Sequence, residues 1–203
     1  ISVVGKSEEP MLEGWTTISV LAGITTSIKL GTLVTGVIYR HPSILAKIAA
    51  TLDVLSKGRL FLGIGASWNE EESLAYGIGE YTNINGTSKG PRITFPSNKE
   101  RLLRLEEALQ IIRKMWTEEP SASFEGKYYQ IHNAYCNPKP IQKPHPPIYR
   151  GTLSLESFET AAMVGDNAFV VPWLTGQHSE VNSRVQRYRT LLTEHGHTPR
   201  RTT

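Results

Sequence analysis

The sequence predicts an α/β fold built on parallel strands, and three observations carry that prediction. Short β-branched or apolar runs alternate with helical stretches along the 203 residues. The run Arg59 to Gly65, RLFLGIG, is almost continuously apolar, as in a strand covered on both faces. The order strand, helix, strand, helix implies right-handed helical crossovers between neighbouring parallel strands.

The elements follow in chain order. Met11 to Thr25 places Leu12, Trp15, Ile18, Leu21 and Ala22 at helical spacing. Ile28 to Gly36 is short, β-branched and bounded by glycine, and reads as a strand. Pro42 opens the next helix and Gly58 closes it. After the strand Arg59 to Gly65 comes Tyr76 to Asn98, rich in Gly, Ser, Asn and Pro, which reads as a long surface loop. Glu100 to Trp116 carries a buried stripe of Leu102, Leu105, Ala108, Leu109, Ile112 and Met115 or Trp116. Phe124 to Ile131 suggests a hairpin around Glu125-Gly126. Asn137 to Pro147 holds five prolines and must be extended. A short strand at Ile148 to Gly151, a helix near Ser154 to Val164, a strand at Asn167 to Trp173 and a helix at Ser179 to His195 complete the chain. That makes four strands, with a remnant of another at Ile1 to Val4. An open sheet of four or five strands fits this length, whereas a closed α/β barrel takes about 250 residues.

Composition narrows the function classes. At 39% hydrophobic and 20% charged, the chain is of ordinary globular type with enough apolar residues for a core. The net charge of +3 is spread along the chain, which points away from nucleic acid. No apolar run is long enough to span a membrane. A single cysteine, Cys136, excludes an intrachain disulfide and suits a reducing, cytoplasmic setting. The N-terminus has no signal-peptide layout and no initiating methionine, so the chain is expected to begin inside a longer protein.

In a parallel α/β architecture ligands gather where strands end and loops lead into helices. Those positions are Thr35 to His41, Gly63 to Glu71, Gly151 to Ser154 and Pro172 to His178. Small and hydroxyl residues recur there: Thr35, Gly65, Ser67, Gly151, Thr152, Ser154, Thr175 and Gly176. Glycines let an anion approach the backbone and hydroxyls donate to it, so a phosphate-bearing cofactor and ordinary strand-to-helix turns both remain open. Gly63-Ile64-Gly65 is not a dinucleotide fingerprint, because Trp68 stands where the third glycine is needed and no acid follows a second strand. A phosphate-loop Gly-Lys-Ser/Thr is also missing. His41 beside Pro42 reads as a helix cap before it reads as a ligand. The histidines lack metal-ligand spacing, and no metal is expected. Glu70, Glu71 and Glu72 suit a helix start. Trp68 and Trp173 each follow a strand end and suit either a pocket wall or the core.

Three segments together resemble the luciferase-like monooxygenase superfamily, of flavin and deazaflavin enzymes on a (β/α)8 TIM barrel. They are the stretch from Glu9 to Ile78, including GTLVTG, YRHPSILAKIAATLDVLSKGR and LGIGASWNEEE; then RLEEALQIIRKMWTEEPSASFEGKYYQI; then NPKPIQKPHPPI. The second and third motifs of the first stretch are most similar to the deazaflavin-dependent branch. The resemblance implies an incomplete barrel over residues 1–203, lacking the first strand and the last two, with a loop insertion at about 77–98 and a hairpin excursion at about 120–147. It implies hydride transfer between reduced coenzyme F420 and a small organic substrate. An FMN-dependent monooxygenase using oxygen, and a non-catalytic barrel remnant serving as a partner subunit, are the alternatives. Members often dimerise.

The resemblance also assigns the cofactor site. A bulge, often with a non-prolyl cis peptide, would fall at Leu33-Val34 and run on to Thr35. Gly65, Ala66, Ser67 and Trp68 would line the cofactor. Gly151, Thr152 and Ser154 would supply donors to its phosphate. Three departures stand out. The Asp-His pair that many members carry at the end of the second strand is missing, and no catalytic residue can be named. Arg150-Gly151-Thr152 replaces the usual Gly-Gly. The insertion is longer than usual. A barrel short of three strands has open edges, so the chain alone is expected to be unstable or aggregated.

Overall fold

The computed structural model describes residues 6, 8–82, 92–152, 155–169 and 178–198. Its elements, in order, are α1 (Gly14–Ile24), β1 (Thr35–Gly36), a single 3-10 turn (Val37–Tyr39), α2 (Pro42–Leu55), β2 (Leu62–Gly65), α3 (Glu70–Ala75), β3 (Glu80–Thr82), β4 (Arg92–Thr94), α4 (Asn98–Thr117), β5 (Ala122–Glu125), β6 (Gln130–Ala134), β7 (Ile148–Gly151), α5 (Leu155–Met163), β8 (Asn167–Phe169) and α6 (His178–Glu194). Strands β1, β2, β7 and β8 form one sheet in that order, every pair parallel. The expected alternation of strand and crossover is therefore present.

One face of the sheet is covered. Leu62, Ile64 and Ile148 are buried with Leu45, Ala49 and Leu52 of α2 and with Leu105, Leu109 and Ile112 of α4. A smaller cluster joins Phe158 and Ala162 of α5 to Leu191 and Leu192 of α6, with Ala168 of β8 against it. Side chains alternate along a strand, so Phe61, Tyr149, Asn167 and Phe169 fall on the opposite face. Phe61 and Tyr149 meet edge to face there at 5.4 Å, and all four stay half-buried. Helices on one face of a twisted parallel sheet make an arc of a (β/α)8 barrel, with the half-covered face as the barrel interior.

The insertion departs from the plain loop expected over Tyr76 to Asn98. Strands β3 and β4 pair antiparallel, Glu80 opposite Thr94 and Thr82 opposite Arg92. Their β-formers, Tyr81 and Ile93, are too few and too widely separated to stand out in the sequence. The hairpin β5–β6 lies where one was expected. The remnant at residues 1–4, the end of the strand expected past Phe169, and Trp173 lie outside the described residues. No helix among the described residues is long and apolar enough to cross a membrane.

Buried charged groups pin the connections. Arg59, 8% exposed, donates to the carbonyls of Ala22, Thr25, Ile28 and Ser56, which closes the C-termini of both α1 and α2. Asp53 is fully buried and accepts from the amides of Ile141 and Gln142 and from the Gln142 side chain, which anchors the proline-rich segment. Glu107 accepts from the amides of Lys127, Tyr128 and Tyr129 at the hairpin turn. Arg150, 2% exposed, bonds Glu106 and Asp166, and Asp166 also pairs with Arg113. These pairs join β7 to α4 and to the turn entering β8.

Candidate cofactor site

The site is built at the C-terminal ends of β1, β2 and β7. Leu30 bridges Leu60, and Thr35 registers with Ile64. Five steps on the first strand (30 to 35) thus lie against four on the second (60 to 64), so the first strand carries one extra residue. This bulge contains the peptide bond Leu33–Val34, which is cis, as the family resemblance implied. A chain of hydrogen bonds fixes it. Trp15 Nε1 donates to Thr35 Oγ1 at 2.9 Å, the two hydroxyls of Thr35 and Thr32 lie 2.6 Å apart, and Thr32 Oγ1 donates to the carbonyl of Gly63 at 3.2 Å. Since Thr32 spends its one proton on Gly63, Thr35 must donate to Thr32.

The bulge lies close against β2, and the glycines there make room for it. A Cβ on Gly63 would sit 1.9 Å from the Thr32 carbonyl oxygen. A Cβ on Gly65 would sit 3.0 Å from Val34 Cγ2, and one on Gly151 would sit 3.2 Å from the same atom. Gly36 registers with Gly65, and Gly151 neighbours Gly65 on the other side. Three adjacent strands therefore end in a row of glycines, Gly36, Gly65 and Gly151. Beside this row the bulge holds out Leu33 and Val34, 51% and 38% exposed.

Ser67 stands over one end of the row. Its φ is +68°, a left-handed conformation uncommon for serine. A Cβ on Gly36 would come within 2.4 Å of Ser67 Oγ. That hydroxyl is buried and has no hydrogen-bond partner among the described residues. Buried hydroxyls are normally paired, so a donor of this kind calls for an acceptor. Trp68 follows it and is 60% exposed, so it belongs to the rim and not to the core.

The remaining expected residues sit differently. Thr35 is 5% exposed, with its hydroxyl committed to the bulge. Ala66 packs against the core. Thr152 is 1% exposed, and both its amide and its hydroxyl donate to the Phe169 carbonyl at 3.1 Å. Ser154 lies outside the described residues. The arrangement thus brings together Leu33, Val34, Gly65, Ser67, Trp68 and Gly151, and turns Thr35, Ala66 and Thr152 into the protein.

The neighbouring polar residues support the frame. Asn69 caps α3 by accepting from the Glu72 amide, with Glu70, Glu71 and Glu72 in the first turn as expected. Tyr39 donates to Glu72 at 2.8 Å and accepts from Ser73, and burial pushes its phenol up. His41 caps α2, its Nδ1 accepting from the Ser43 amide, and partial burial lowers its pKa. Cys136 is buried, and burial pushes its thiol up. No group of His, Cys, Asp and Glu among the described residues could hold a metal ion.

These features fit a planar ring system. The glycines seat Val34 over Gly65 and Gly151 and Ser67 over Gly36, Leu33 and Val34 offer exposed apolar surface, and Ser67 offers a buried donor. Comparisons with known proteins give the family. The model of the family described as luciferase-like monooxygenase matches residues 3–203. An F420-dependent glucose-6-phosphate dehydrogenase of Kineococcus radiotolerans is 38% identical over 130 residues, 64% of this chain and 33% of the relative. An FMNH(2)-dependent dimethylsulfone monooxygenase of Pseudomonas putida is 29% identical over 157 residues, 77% of this chain and 38% of the relative. Among solved structures, an F420-dependent secondary alcohol dehydrogenase matches with a TM-score of 0.77 at 21% identity, over 95% of this chain and 53% of that one, a likeness of fold. The chain spans half or less of the length of these curated relatives. With the family match running nearly end to end over a barrel arc of this geometry, the chain belongs to the luciferase-like monooxygenase family, whose members include F420-dependent and FMN-dependent enzymes.

Proposed function

We propose that this chain carries the cofactor-holding part of an oxidoreductase that transfers a hydride between reduced coenzyme F420 and a small organic substrate. The observation that carries the reading is the glycine row Gly36–Gly65–Gly151 flanked by the bulge at Leu33–Val34 and the buried hydroxyl of Ser67. When bound, the deazaflavin supplies the hydride chemistry, and the protein supplies position, orientation and exclusion of water. Leu33 and Val34 back the ring, Gly65 and Gly151 let Val34 lie flat against the strand ends, and Ser67 donates to a ring heteroatom. Trp68 shields the rim. The phosphate end belongs at the C-terminal end of β7, at Gly151 and Thr152, with Thr152 acting there by holding the backbone, since its hydroxyl is engaged. The greater identity to the F420-dependent relative, 38% against 29%, favours F420.

A second reading, an FMN-dependent monooxygenase using oxygen, rests on the wider span of the FMNH(2)-dependent relative, 77% of this chain against 64%. Spectral titration of the chain with F420 and with FMN separates the two. Micromolar binding of F420, with FMN much weaker, is expected. The reverse order selects the second reading, and binding of neither refutes both.

A further inference from the structure

The insertion and the candidate cofactor site share one side chain. Arg101, on the first turn of α4, is 9% exposed. Its guanidinium forks between two backbone segments: Nε donates to the Ser67 carbonyl at 3.1 Å, and Nη1 donates to the Pro96 carbonyl. Nη2 reaches Asn98 Oδ1 at 3.4 Å. The same group lies over the Phe95 ring, 4.3 Å from its centre. Phe95 and Pro96 directly follow β4, the outgoing strand of the insertion. None of the described ion pairs includes Arg101, although Glu70 and Glu100 lie near enough to favour its charge against the burial that opposes it. A guanidinium buried on carbonyls in place of a carboxylate is fixed by geometry, since its planar fork sets where those carbonyls must lie.

The carbonyl it holds is that of the left-handed residue. Ser67 at φ +68° is in a conformation that serine leaves readily unless neighbours enforce it, and from that conformation its hydroxyl lies over Gly36. We propose that Arg101 is a positioning residue: it holds Ser67 with the hydroxyl aimed at the cofactor shelf, and by the same fork couples the placement of the insertion to that site. A displaced Phe95–Pro96 segment therefore loosens Ser67, and a ring bound against Ser67 orders the segment. The cofactor half of this inference rests on the function proposed above; the coupling half does not.

Amide hydrogen exchange and cofactor titration on the full chain, with Arg101→Ala and Arg101→Lys, test both halves. In Arg101→Ala, the amides of residues 66–69 and those of 93–95 are expected to exchange at least tenfold faster together, while those of α2 keep their rate. Lysine keeps the charge but cannot fork between two carbonyls, so Arg101→Lys should rescue little. If Arg101→Ala loses its helical circular dichroism, the same comparison is read from Arg101→Lys. Acceleration of only one segment, of neither, or of α2 equally, overturns the coupling. F420 or FMN, whichever the unaltered chain binds, should bind at least tenfold more weakly to the variant, and equal affinity overturns the positioning role. An unaltered chain that binds neither cofactor removes the functional reading and the cofactor half with it, while exchange still decides the coupling.

Discussion

Replacing Gly63 by alanine is the sharpest test of the bulge. The added Cβ would lie 1.9 Å from the Thr32 carbonyl oxygen, 3.0 Å from its carbon and 3.1 Å from Leu33 Cδ2. A carbon and a carbonyl oxygen approach to roughly 3.3 Å, so the bulge must retreat by about 1.4 Å. The obstacle is backbone and cannot swing aside. Overpacking of this kind costs about 1–3 kcal/mol. The retreat also breaks the hydrogen bond from Thr32 Oγ1 to the Gly63 carbonyl, a further loss of about 1 kcal/mol. Gly63→Ala should therefore destabilise the chain by about 3 kcal/mol. With a urea slope of about 2 kcal/mol/M, the midpoint falls by roughly 1.5 M. Buried Trp15 and Trp116 report the transition by fluorescence, at sub-micromolar concentration to limit association through the open sheet. Gly23→Ala is the control. Its Cβ would meet nothing within 4 Å, on a helix, so it should stabilise by about 0.5–1 kcal/mol. A Gly63→Ala midpoint within roughly 0.3 M of the parent would refute the close packing of bulge on strand.

Other consequences follow from the same contacts. Arg150→Ala strands Glu106 and partly strands Asp166, a loss of about 3–5 kcal/mol that should appear as a lower urea midpoint; an unchanged midpoint would mean the pairs add nothing. Ser67→Ala should leave the midpoint unchanged and weaken cofactor binding roughly tenfold, the size of one hydrogen bond; equal affinity would take Ser67 out of the site. At the α1 N-cap, burial would raise the Glu13 carboxyl, but the amides of Thr16 and Trp15, the Thr16 hydroxyl and Arg40 bring it down to about 2. A folded value below the ordinary 4.5 means that its stabilisation is complete above that pH and is lost as pH falls toward 2. Amide protection at Trp15 and Thr16 should decline over that window, and a flat profile would contradict the cap.

Much of this was legible in the sequence, for definite reasons. Helices α2 and α4 showed because their apolar residues recur at helical spacing, and Pro42 marks the start of α2. The Ser97 cap, which starts α4 at Asn98, two residues before the expected Glu100, was hidden in the polar stretch read as loop. His41 was legible as a cap because Pro42 follows it. The position of the cis bond came from the resemblance alone, since nothing in GTLVTG dictates it. Other features depend on partners far along the chain. Asp53 finds Ile141 and Gln142, 88 and 89 residues away, and Arg150 finds Glu106, 44 residues away. No local pattern reports such pairs. Thr35 and Thr152 had the right chemistry for donors at strand ends, but tertiary packing spends their hydroxyls on Thr32 and Phe169. Conversely, Gly63 was expected to admit a ligand, and it admits the Thr32 carbonyl.

The most direct measurement is hydrogen exchange with and without saturating F420. Protection on binding should gather at residues 33–36, 65–68 and 151–152, the three strand ends that carry the glycine row. Bound F420 that protects other segments and leaves these three unchanged would contradict the placement of the cofactor on the bulged sheet.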